Sequence, residues 1–136
     1  MISLPLVYTI LALVAYTTSF RYLFLKLMAK RDPNHWFIGV ILGLGLLLHA
    51  TVLYHDMLTP MGVNYDVFVL MSFTSGLMLL LSLLYSTYRP ILALNLIGIP
   101  VAATGLILGF AFSQSTQFIE QRSLGLDIHI ILSLSA

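Results

Sequence analysis

Four histidines carry the coordination chemistry of this chain, because it has no cysteine and its six methionines are scattered. Imidazole can hold a transition metal or move a proton near neutral pH. Disulfides, thiolate metal sites and iron–sulfur ligation all need cysteine, so any metal must be held by His, Met or oxygen. The four histidines divide by their surroundings. His35, between Asn34 and Trp36, and His55, beside Asp56, stand at the ends of apolar runs, where a histidine ordinarily caps a helix or meets an interface. His49 is embedded in Leu46, Leu47, Leu48, Ala50 and Val52. An ionisable residue inside such a run is costly to bury and is a functional candidate for that reason. Gly45 precedes it by one turn on the same face and clears room for a flat ligand or a close helix. His129 lies about one turn into the final apolar run, Leu126-Asp127-Ile128-His129-Ile130-Ile131.

Two imidazoles on different helices, both near one membrane face and both turned from water, are what a b-type haem or another metal centre needs. The alternative is that each histidine hydrogen-bonds a neighbouring helix through Ser, Thr or backbone groups, and no HxxxH-type spacing decides between the two. No other catalytic set stands out. Glu120 and Asp127 are not paired into an acid/base couple, and Met57, Met61, Met71 and Met78 form no ligand cluster. There is no GxSxG, HExxH or phosphate-cradling glycine loop, and the chain is not expected to be an enzyme.

The elements that position these residues follow from composition. Of the 136 residues 60% are hydrophobic and 8% charged, and the mean hydropathy is +1.01. That leaves too little polar surface to coat a sphere in water, so lipid is the solvent for most of the chain. A net charge of +1 gives no basic stripe for a phosphate backbone, which excludes nucleic acid as a partner. Crossing the hydrocarbon takes about 20 apolar residues. Four stretches meet this: Ile2 to about Phe20 with weaker continuation to Leu25, Trp36 to Tyr54, Val67 to Tyr85, and Ile91 to Phe112. The fifth, Leu126 to Ala136, spans only roughly 16 Å. The fold class is therefore all-α: a polytopic membrane bundle of four transmembrane helices plus the start of a fifth, forming one domain over residues 1–136. The ending predicts that this is the N-terminal part of a longer protein.

Arg21, Lys26, Lys30 and Arg31 cluster around the first connection and Arg89 lies in the third, whereas the second, His55 to Asp66, has no Lys or Arg. The positive-inside rule then places the N-terminus outside, together with the loops His55 to Asp66 and Ser113 to Gly125, the latter carrying Glu120 and Arg122. Between lipid-solvated helices close approach depends on small residues. Gly39 with Gly43, and Gly105 with Gly109, are GxxxG words that either form packing seams or simply reflect the frequency of glycine in membrane helices. Pro100 removes one backbone donor from the fourth helix, and Asn95, about a turn earlier, is a candidate to serve that break.

Leu46-Leu47-Leu48-His49-Ala50, the loop Gly62-Val63-Asn64-Tyr65-Asp66, a serine-bearing third helix and Leu126-Asp127-Ile128-His129-Ile130-Ile131-Leu132-Ser133 together resemble, in order and spacing, the N-terminal half of the cytochrome c assembly family. This family includes the CcsA, CcmC and HemX-like proteins, and the likeness is closest to its bacterial inner-membrane YpjD branch. The resemblance implies a multi-pass protein of the bacterial cytoplasmic membrane. It would handle haem for cytochrome c maturation near the outer face, with His49 and His129 toward haem iron and Gly45 giving room. Its partners would be other assembly proteins or apocytochrome c. The tryptophan-rich outer motif of the haem-export members is absent, since the one tryptophan, Trp36, is on the inner side. A structural or accessory membrane subunit without cofactor is the alternative.

Overall fold

Short polar side chains set where two of the helices begin. The structure is a computed structural model describing residues 2–60, 62–89, 92–113 and 124–136. Helix α1 (Leu4–Met28) starts with Pro5 in its first turn, where a missing N–H costs nothing. Helix α2 (His35–Met57) is capped by Asn34, whose side-chain oxygen accepts from the N–H groups of Trp36 and Phe37 at 3.1 and 3.3 Å. The capping side chain is thus Asn34, and His35 is the first helical residue. Helix α3 (Val67–Tyr88) is capped by Asp66, which accepts from the N–H of Phe68 at 2.8 Å. Helix α4 (Leu92–Phe112) contains Pro100, and α5 (Leu124–Ser135) follows. Ile91, expected to open the fourth helix, lies outside the described residues, as do residues 114–123 of the outer loop with Glu120 and Arg122.

Helices α1 to α4 are each long and apolar enough to cross a membrane, so the protein is an all-α, multi-pass membrane bundle. The closest packing is between α3 and α4 and between α1 and α2. Contacts of α1 with α4 and of α2 with α3 close the ring, and α5 lies against α3. The bundle is thus two helical hairpins side by side. Ala12, Tyr16, Leu42, Val69, Leu79, Ala102 and Leu106 are fully shielded at its centre, while leucines and valines cover the outside. Such an exterior is at home only in lipid.

The two GxxxG words part company. A Cβ added at Gly39 or Gly43 would meet nothing within 4 Å, so that pair is no seam among the described residues. Gly105 and Gly109 lie against Ser75 and Ser72 of α3, where an added Cβ at Gly109 would stand 2.7 Å from Ser72 Cβ. This is the small-residue contact that lets two helix backbones approach in lipid. Asn95 is engaged by α3 rather than by the break at Pro100. It accepts from Ser82 Oγ at 2.6 Å and donates from Nδ2 to Ser86 Oγ at 2.8 Å.

A short hairpin not anticipated from the sequence joins α2 to α3. Strands β1 (Leu58–Thr59) and β2 (Gly62–Val63) pair antiparallel, and Gly62, at φ 139°, takes a backbone conformation open to glycine alone. Asn64 then binds this connection to the next: its N–H donates to Met57 C=O at 2.7 Å and its Nδ2 to Ser113 C=O at 3.2 Å.

Candidate functional site

Tyr16 stands at the middle of α1, His49 in the last third of α2 and Ser72 near the start of α3. Because the helices alternate in direction, these positions converge toward the end of the bundle that carries the hairpin. Tyr16 Oη is 2.9 Å from His49 Nδ1, and His49 Nε2 is 3.0 Å from Ser72 Oγ. All three residues are buried, His49 with 1% of its surface exposed. In a lipid-solvated interior the neutral ring costs least. One of its nitrogens therefore donates while the other accepts, and the hydroxyls of Tyr16 and Ser72 can fill either part.

Two glycines make the approach possible. A Cβ at Gly45 would stand 2.8 Å from Tyr16 Cε1, so the space beside Gly45 is filled by the Tyr16 ring. Of the two uses the sequence suggests for Gly45, the structure shows the close helix. Gly76 of α3 offers its bare backbone to His49, where an added Cβ would lie 3.2 Å from Cε1. Ser72 in turn rests on Gly109, and the row Tyr16, His49, Ser72, Gly109 crosses all four helices. Ser19, one turn along α1 from Tyr16, holds the buried side-chain polar atom without a partner among the described residues.

His129 is exposed on α5, and no hydrogen bond or ring contact of its imidazole occurs among the described residues. Nothing in the described contacts joins it to His49. What the two share is a neighbourhood. Ala50, one residue after His49, and Ile131, two residues after His129, line the same groove of about 400 Å³ together with Leu53, Tyr54 and Phe73. A second groove of about 450 Å³ between α2 and α3 has His49 and Gly76 in its wall among leucines. His35 and His55 stay at the helix ends, where the His55 ring meets Tyr54 edge-on. Among the described residues no three metal-binding side chains of His, Cys, Asp or Glu gather.

Imidazole is a known ligand of haem iron, and at His49 both nitrogens are engaged within the protein, Nδ1 by Tyr16 and Nε2 by Ser72. A ligating histidine is normally braced at its other nitrogen, and Tyr16 braces His49 at Nδ1. Iron at His49 Nε2 would take the place of the Ser72 hydroxyl. His129 has no hydrogen bond among the described residues, with exposed Ile128 and Ile131 near it along α5. The partner of His49 on α1 was not recognisable beforehand, since Tyr16 is one of seven tyrosines and has no motif around it. No family model, curated protein or solved structure was found to match the chain.

Proposed function

We propose that this protein is a haem-handling membrane component of cytochrome c assembly, with its N-terminus and the His49 end of the bundle facing the outer side of a bacterial cytoplasmic membrane. The observation that carries the proposal is a buried imidazole, braced at one nitrogen by tyrosine, in the wall of an apolar groove. The order of the His49 and His129 words along the chain supports it, as does the groove that their immediate neighbours share. The positive charge gathered at the opposite end supports the orientation. Haem, when bound, would bring the redox-active iron. The chain would contribute His49 Nε2 and His129 as donors and dry walls that exclude water. Partners of this reading are other assembly proteins and apocytochrome c.

Titration of the reconstituted chain with haem tests this. A Soret shift and low-spin bands typical of imidazole ligation are expected, weakened in both His49→Ala and His129→Ala. A chain that takes up no haem, or whose spectrum is indifferent to both substitutions, rejects the proposal. One observation favours a second reading: both His49 nitrogens are already hydrogen-bonded within the protein. A cofactor-free structural or accessory subunit would use them only to join helices. His49→Ala would then lower stability, and haem would leave no spectral trace in the parent chain.

A further inference from the structure

We propose that the turn between α1 and α2 binds anionic phospholipid headgroups, with Lys26, Lys30 and Arg31 at the turn and Arg21 further along α1 as their cationic partners. Among the described residues all five basic ones, these four and Arg89, lie at this end of the bundle, with Asp32 as the acidic residue beside them. Arg21, Lys30 and Arg31 are exposed, and Lys26 Nζ, 5.5 Å from the centre of the Tyr22 ring, makes the one contact of their charged groups among the described residues. A cation without a protein carboxylate, held beside a bilayer, is neutralised by lipid phosphate.

Arg21 carries the argument furthest. With 25 residues, α1 is about 38 Å long, some 8 Å more than the hydrocarbon layer. Arg21 lies seven residues before the helix end, or roughly 10 Å inward. Its guanidinium therefore leaves the bundle at the boundary between acyl chains and headgroups, flanked by exposed Phe24 and Leu25. A long arginine side chain so placed can reach a phosphodiester at the interface.

The turn itself is fixed rather than loose. Arg31 N–H donates to Lys26 C=O at 3.0 Å and Lys30 N–H to Leu27 C=O at 3.1 Å, the paired bonds that close a helix through a left-handed residue. That residue is usually glycine, and here it is Lys30 at φ 50°. Asn34 N–H donates to Tyr22 Oη at 3.2 Å, and Tyr22 leans on Phe37, so the ring under Lys26 is held from both helices. Trp36, 77% exposed, stands beside the turn at headgroup level. The site takes lipid phosphate carried on two acyl chains, with Leu25, Leu27 and Met28 exposed to receive them.

Trp36 is the sole tryptophan and reports on its own surroundings. The full chain is reconstituted in equimolar phosphatidylcholine and phosphatidylglycerol, with bromine on the acyl chains of one lipid or the other to quench Trp36 fluorescence. Brominated phosphatidylglycerol is expected to quench more, corresponding to a severalfold enrichment. Lys30→Gln with Arg31→Gln, and separately Arg21→Gln, should each lower that enrichment, the double change bringing it close to one, at unchanged helicity. Arg89→Gln should leave it unchanged. Equal quenching by the two lipids overturns the proposal, and so does a preference that survives these substitutions or that only Arg89→Gln removes. Soluble glycerol phosphate in excess should leave the quenching as it was. Its displacing the preference would mark a site for free phosphate and equally overturn the proposal.

Discussion

His49→Ala is the most informative single change, because the imidazole is bonded to two other helices at once. Its removal leaves Tyr16 Oη and Ser72 Oγ, in residues 1% and 2% exposed, facing a void instead of a nitrogen. Hydrogen bonds between membrane helices are each worth about 0.6 kcal/mol on average and about 1.7 at most. A buried group left unpaired costs about 1 kcal/mol or more, and the emptied ring volume adds to that. The expected loss is about 3 kcal/mol, or roughly a hundredfold in the folding equilibrium. Tyr16→Phe is gentler: the ring keeps its place against Gly45 and only the hydroxyl goes, for about 1 kcal/mol. Reversible unfolding in bicelles, followed for the parent, both single variants and the double variant, isolates the pair. A coupling of about 1 kcal/mol is expected. Costs that simply add, to within about 0.3 kcal/mol, would show that the tyrosine hydroxyl and the imidazole do nothing for each other and would refute the joint described here.

Gly109→Ala, whose new methyl would press on Ser72 Cβ at 2.7 Å, should destabilise the bundle by about 1–3 kcal/mol, whereas Gly43→Ala, with open space around it, should be neutral or gain up to about 1 kcal/mol; thermal unfolding in detergent compares them. Asn95→Ala removes bonds to Ser82 and Ser86 and should cost about 1–2 kcal/mol in the same assay, while a value near zero would mean the amide is dispensable to the joining of α3 and α4. Lys30→Gly should raise stability by about 1 kcal/mol, since glycine adopts φ 50° without strain, and at the same time weaken the preference for anionic lipid; a parallel fall of both would contradict the role given to this residue.

The spans were legible because a bilayer imposes length and apolarity together. Val67 and Phe112 bound helices where the run of apolar residues does, and helices α1 to α3 extend a few residues further into the interface, to Met28, Met57 and Tyr88. What faces inward was not legible. In water an apolar stripe marks the buried face, but in lipid both faces are apolar, and Leu42 at the centre reads the same as Leu47 on the outside. Gly39-Gly43 and Gly105-Gly109 are the same word with opposite surroundings, because the neighbour across from each depends on how the helices are rotated. Burial of His49 followed from its setting, whereas its partners did not: Tyr16 is 33 residues away and Ser72 is 23. The two-residue strands of the hairpin are too short for any alternation to show.

The pairing of α1 with α2 and of α3 with α4 bears on how such a bundle is made. Each pair enters and leaves the bilayer on one side and satisfies its own backbone, so each can be released from the insertion machinery as a finished unit before the other is synthesised. The line where the units meet is then the last to zip and the first to part. Along α2 and α3 it is fastened by His49 to Ser72, with a trough in the bilayer wall beside it. Packing of α1 against α4 holds the same two units together on their other side.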